Sequence, residues 1–264
     1  MVTKFSLAEI EVAMPDNKKV VFYFDGNGKI TRGNSSFVNP VPNAFSLVQV
    51  EDCPFATPIC KSVCYVHGLE KAEKEIHAAY RHNSRVIREV LTQPDYREFA
   101  IQAFAEYIYQ NAPSGFRWHV AGDIFSVDYS QFICDVCVLV PAVPFWIYTR
   151  SFAYLEPLLE AKNLIVNLST DKDNWQEALS VHEKFGFRLC YLSVEGEVPD
   201  DLPDGSVIFP SYELRGRELP EPKQAWWWQM LDARKRQMVC PADFFGQSDA
   251  WRCDPCKKCL VLNK

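Results

Sequence analysis

The sequence predicts an α/β fold: a partial (β/α) barrel, preceded by a β-hairpin segment and followed by a Cys-rich C-terminal module. Two observations carry this. Between residues 116 and 213 short apolar strands alternate with helical segments, the rhythm of a parallel sheet with covering helices. The strands also end in polar or small residues: Gly122-Asp123, Thr149-Arg150-Ser151, Ser169-Thr170-Asp171 and Ser193-Val194-Glu195. A doubly wound sheet shares the rhythm, and sites form beyond carboxyl strand ends in both folds. The polar ends favour a partial barrel with its mouth at these residues.

Each element follows in order. "KKVVFYF" reads as a strand, "DGNG" as a tight turn and "KITRG" as the return of a hairpin. "DGNGKITRGNSS" begins like a calcium loop, but Ile30 replaces the sixth-position Gly and Ser36 the twelfth-position Glu, so it is not one. "AFSLVQVED" is a strand running into Cys53. Residues 69–91 and 95–111 show helical apolar spacing. Then "FRWHVAG", "FWIYTRS", "LIVNLSTD", "FRLCYLSVEG" and "SVIFPSYE" are strands; residues 126–140, 152–163 and 174–186 are the intervening helices. Three regions result: a β-rich segment 1–44, a barrel with its loop 45–222, and a Cys- and Trp-rich module 223–264.

With 264 residues, 48% hydrophobic and 23% charged, the chain can bury a sizeable core. Its net charge of −6 and lack of long Lys/Arg runs give no clear nucleic-acid patch. No apolar run is long enough for a membrane span, and "MVTKFSLAEIEV" is not a secretory signal. The expected location is a reducing cytoplasm. There, ten cysteines are better read as metal ligands than as disulfides.

Six of them cluster. Cys53, Cys60 and Cys64 have the spacing C-x6-C-x3-C in a Pro-containing loop between a strand and a helix. Three thiolates without an evident fourth leave one iron of a 4Fe–4S cluster open. In the tail, Cys253, Cys256 and Cys259 form two consecutive C-x2-C steps, with Cys240 upstream. Short loops of this kind wrap a 4Fe–4S cube. Structural zinc with four cysteines is the competing reading, although zinc usually takes two separated C-x2-C pairs. Cys134 and Cys137 fall inside an apolar helix, and Cys190 in an apolar strand; these read as core thiols. His67, three residues after Cys64, is a candidate fourth ligand.

A three-cysteine loop after the first strand of a β/α barrel resembles the radical S-adenosylmethionine (SAM) enzymes. More specifically, "CPFATPICKSVCY", "RWHVAGDIFS", "FWIYTRS", "LIVNLSTD" and the Cys-rich tail together resemble the bacteriophage gene product 88 family, over about residues 45–262. The radical SAM resemblance implies a 4Fe–4S cluster on Cys53, Cys60 and Cys64 whose open iron chelates SAM. It also implies that Gly122 and Asp123 lie where the SAM amino group is held. This chain departs from that pattern: those enzymes have C-x3-C-x2-C, and their Gly-Gly-Glu stands here as Ala121-Gly122-Asp123.

The remaining candidates each carry a plain structural alternative. Asp123 binds a ligand amine or acts as a base, or else caps a helix. Arg150 clamps a carboxylate or phosphate, or pairs with Glu156. Ser169, Thr170 and Asp171 line the ligand pocket or cap the helix beginning near Asn174, a role that suits Asp171 best. His119 points into the barrel or, as is commoner, is a satisfied core histidine, and Trp226 to Trp228 cover a flank or meet a partner. One or two 4Fe–4S clusters, with SAM and a small-molecule substrate at the mouth, make a radical enzyme. The alternatives are a non-catalytic electron carrier or redox sensor, and a zinc-stabilised module that binds a host or phage protein.

Overall fold

The computed structural model describes residues 7–26, 42–64, 66–67, 74–194, 196–211, 223–244, 256 and 259. The fold is mixed α/β, with an eight-stranded sheet in the order β1-β2-β3-β4-β5-β6-β7-β8. The strands are β1 Leu7–Ala13, β2 Lys19–Gly26, β3 Pro42–Phe45, β4 Phe116–Trp118, β5 Phe145–Thr149, β6 Leu164–Thr170, β7 Arg188–Val194 and β8 Val207–Ser211. β1, β2 and β3 pair antiparallel. The pairs β3–β4, β4–β5, β6–β7 and β7–β8 are parallel. Among the described residues no pairing joins β8 back to β1. The helices are α1 Pro58–Ser62, α2 Lys74–Leu91, α3 Pro94–Asn111, α4 Val127–Leu139, α5 Trp175–Phe185, α6 Lys223–Gln229, α7 Ala233–Met238 and α8 Pro241–Phe244.

A hairpin precedes the expected one. β2 pairs back with β1 through a turn in which Asn17 takes φ 63°; the expected return strand "KITRG" lies outside the described residues. The alternation of "LAEIEVA" supports an edge strand with one buried side. Residues 152–163, expected as one helix, form two 3-10 turns, Phe152–Tyr154 and Glu156–Glu160. Pro157 supplies no N–H for a continuous ladder and starts a new turn instead.

The chain divides into two compact units. The first comprises Met1–Pro54, Tyr65–Ile147 and Ala153–Ile165. Its core is aromatic: Phe22, Phe24, Phe45, Phe104, Phe116, Trp118, Phe132 and Phe145 are fully buried. Phe104 on α3 meets Phe22 at 4.9 Å, Phe45 at 4.9 Å and Phe132 at 5.2 Å between ring centroids, all edge-on. Such pairs add to the area they bury. α2 covers this unit with Ile76, Ala79, Tyr80, Asn83, Val86, Ile87 and Val90 inward, the 3.6-residue spacing read in the sequence.

The second unit comprises Phe55–Cys64, Tyr148–Phe152 and Val166–Lys264. Leu168, Leu189, Cys190, Val207 and Ile208 are buried here. α5 ends where Gly186 takes φ 72° and closes the helix. The short tail helices belong to this unit, with Trp227 fully buried and Trp228 tilted against Phe244 at 4.5 Å. No helix among the described residues is long and apolar enough to cross a membrane.

Candidate functional site

In the first unit the polypeptide leaves β3 through a tight turn that delivers Cys53. Val50 takes φ 67° in that turn, an uncommon conformation for a β-branched residue. Asp52, beside Cys53, is nearly fully buried. Its Oδ2 accepts the Val48 N–H at 3.2 Å and the Ser84 hydroxyl, and its Oδ1 pairs with Arg88. The Asp52 carbonyl accepts the Asp123 N–H at 2.7 Å. The turn before Cys53 is therefore tied to the segment that follows β4, where Gly122 and Asp123 lie.

Gly122 has a structural reason to be glycine. Its φ is 80°, and an added Cβ would come within 2.6 Å of the Leu47 Cβ. The Asp123 carboxylate accepts its own neighbour's N–H, from Ile124, at 2.7 Å. His119 is buried with φ 62°, and its Nε2 shares a 2.8 Å hydrogen bond with the Tyr129 hydroxyl. Burial lowers the His119 pKa to about 3, keeping it neutral. His67 Nδ1 lies 3.1 Å from Gln49 Nε2. An open cleft of about 600 Å³ is lined by residues including Asp52, Arg81, Ser84, Arg85 and Arg88. Arg81 there pairs with Glu51 at 3.2 Å, and Arg88 with Asp52, which offsets much of its positive charge.

In the second unit Cys60 sits in α1, a helix set by two residues. Thr57 is its N-cap and Pro58 opens it. The Thr57 Oγ1 accepts the Cys60 N–H at 3.0 Å and donates to Asp171 Oδ2 at 2.5 Å. That same Asp171 oxygen pairs with Arg150 Nη1 at 2.9 Å. Arg150 is 6% exposed and Asp171 0%, so both charges are out of water and compensate each other. Asn174 Oδ1 takes the Asp171 N–H at 2.9 Å and the Thr170 hydroxyl at 2.9 Å. Arg150 thus pairs with Asp171. Asp171 is the hub of a buried network and is not the cap of α5, whose N-cap is Asn174. Ser169 is half-buried, and its carbonyl faces Asn174 Nδ2 at 3.4 Å. The Ser151 and Ser193 hydroxyls, just beyond β5 and near the end of β7, are buried with no hydrogen-bond partner among the described residues.

None of the nine described cysteines is in a disulfide. Cys53 belongs to the first unit, Cys60 and Cys64 to the second, and all three are half-buried. Cys134 and Cys137 are fully buried in α4, and burial pushes the Cys134 thiol up to about 11. In the tail Cys240 and Cys256 are half-buried and Cys259 is buried; Cys253 lies outside the described residues. Cys190, Val207 and Cys259 form one buried cluster, with Cys240, Tyr148 and Phe209 packed against it. Burial raises the Cys190 pKa, whereas the hydrogen bond with Cys190 lowers that of Cys259. Among the described residues no three His, Cys, Asp or Glu side chains converge on a point that could hold a metal ion.

Sequence reasoning passed over Asp52, Ser84, Arg88 and Thr57. A signal existed for two of them. Ser84 is polar on the apolar face of α2, and Thr57 precedes Pro58 as a cap precedes the first helical residue.

No curated protein and no solved structure matches the chain, and nothing in these comparisons extends to the radical SAM enzymes. The family model described as gene product 88 matches residues 18–261. With nearly the whole sequence inside that match, the chain belongs to the gene product 88 family, a phage protein family.

Proposed function

We propose that this is an iron–sulfur protein of the host-cell cytoplasm, its sheet curled as a partial barrel. Cys53, Cys60 and Cys64 hold a 4Fe–4S cluster, and Cys240, Cys253, Cys256 and Cys259 a second metal centre. The observation that carries the reading is the anchoring of the front loop. Cys60 hangs from Thr57, which is bonded to a buried Arg150–Asp171 pair at the strand ends. A surface loop of core thiols has no need of such a support, whereas a ligand loop must hold its thiols in place. The donor chemistry also fits, since the three thiols are half-buried and none is in a disulfide.

When bound, such a cluster supplies one-electron chemistry, and three thiolates leave one iron open to SAM or another small ligand. Around it, the chain's own residues bind and orient. In the second unit the Ser151 and Ser193 hydroxyls and the half-buried Ser169 offer polar groups near the strand ends for that ligand. Such buried hydroxyls call for a partner.

A second reading, a cluster that carries or senses electrons without cleaving a ligand, has its own observation. Gly122 is explained by Leu47 packing, and the Asp123 carboxylate accepts the Ile124 N–H. Both positions thus have structural work independent of SAM.

The experiment that separates the two adds SAM to the reduced, anaerobically purified protein. A changed EPR signal with release of 5′-deoxyadenosine supports the enzyme. An unchanged signal without product leaves the electron carrier. Cys60→Ala should remove the front cluster in either case, and unchanged iron content in that variant would refute the ligand assignment.

A further inference from the structure

Three arginines of α2 line the open cleft of the first unit, and the proposed function gives them no role. Arg81, Arg85 and Arg88 stand at i, i+4 and i+7 on the helix, so they share one face. All three are exposed, and they span about 10 Å along the axis. Glu51, Asp52, His82 and Ser84 are the other polar residues of the lining, and the space measures about 600 Å³. A cleft of that size suits a small ligand.

Each guanidinium in the row is held by a partner of its own. Arg88 pairs with Asp52 and lies 3.7 Å over the Phe125 ring. Asp52 is fixed in turn by the Val48 N–H and the Ser84 hydroxyl. Arg81 donates from Nε to His77 Nε2 at 2.8 Å and pairs through Nη2 with Glu51 at 3.2 Å. Arg85 Nη2 lies 3.4 Å from His82 Nδ1, and His82 Nε2 lies 2.9 Å from the Val21 carbonyl. A carbonyl only accepts, so His82 carries its proton on Nε2 and its Nδ1 accepts from Arg85. Two carboxylates therefore answer three guanidiniums. Arg85 leans on a neutral imidazole and makes no ion pair among the described residues.

The charge left over has a definite shape. The row is arginine throughout, and the planar fork of a guanidinium matches two oxygens of a phosphate at once. Three forks over two helical turns reach further than one phosphate group. The pair of Arg81 with Glu51 is open to water on both sides, so it is weak and yields to a multiply charged anion. We propose that this cleft binds a small molecule carrying two or more linked phosphates, either pyrophosphate or a nucleoside polyphosphate, with Arg85 as its main contact. Arg81 and Arg88 flank it. The site uses no cysteine and stands whether or not the chain binds iron.

The test is calorimetric titration of the full-length chain with pyrophosphate, ATP and inorganic phosphate in turn. The wild type should bind pyrophosphate and ATP at one saturable site per chain, and inorganic phosphate about tenfold or more weakly. Equal affinity for the first two would assign recognition to the phosphates alone, and tighter binding of ATP would assign it to a nucleotide. Arg85→Ala should weaken both about tenfold or more, and Arg85→Lys, which keeps the charge without the fork, should fall between. Lys19→Ala removes the same charge from β2 and should change nothing. Arg88→Ala would strand the buried Asp52, so the exposed Arg85 carries the test, with an unchanged circular dichroism spectrum as the check on folding. Absence of saturable binding, or wild-type affinity in Arg85→Ala, overturns the inference. An equal loss in Lys19→Ala overturns it as well, since the attraction would then be diffuse. So does a chain that binds single-stranded DNA and neither pyrophosphate nor ATP, or one that binds inorganic phosphate as tightly as both.

Discussion

Arg150 and Asp171 form the pair on which the candidate site depends most at the scale of single residues. Both are buried and joined at 2.9 Å. Arg150→Ala leaves a carboxylate in the interior without its counter-charge, so it should cost about 3–5 kcal/mol in urea unfolding. A loss within the error of the fit would mean that water reaches Asp171. His119 gives a second residue-scale prediction. Burial depresses its folded-state pKa from 6.5 to about 3. Between those values the unfolded chain binds one proton more than the folded one. Stability from this group is therefore complete above pH 6.5 and is lost as pH falls towards 3, by up to about 1.4 kcal/mol per pH unit. Unfolding followed from pH 7 down to pH 4 should show a shallower loss in His119→Gln than in the wild type. Equal slopes would show that His119 titrates normally.

Among the elements, α2 was legible in the sequence because Ile76, Ala79, Tyr80, Ile87 and Val90 repeat at helical spacing, and each is buried. The strands after residue 116 were legible as short apolar runs between turn residues. α1 was not, since five residues within a cysteine loop show no period; its existence depends on Thr57 and Pro58. The single helix expected over 152–163 fails at Pro157, a local rule overlooked in favour of the apolar spacing. Of the site, the polar strand ends were legible as residue types, but their partners were not. Nothing in sequence spacing brings Asp171 to Thr57, or Cys190 to Cys259. Thr57→Val removes both the cap of α1 and the bond to Asp171. It should lower stability by about 1–2 kcal/mol and weaken iron retention at the front loop, while Thr57→Ser should keep both. Wild-type iron retention in Thr57→Val would detach α1 from the cluster.

The whole molecule is a mixed α/β chain of two compact units whose thiols concentrate in the front loop and the tail. The fold needs no metal to account for its first unit, where aromatic side chains supply a dense core. The second unit gathers short helices and cysteines around β6, β7 and β8, and the proposed metal would add to the stability of that unit. Removing metal should therefore destabilise the second unit more than the first. The most direct test of the central claim is iron and acid-labile sulfide per chain in the anaerobically purified wild-type protein. The account predicts a brown protein with about four irons per chain, or about eight if both centres are clusters. A colourless protein carrying stoichiometric zinc, or no metal at all, would contradict it.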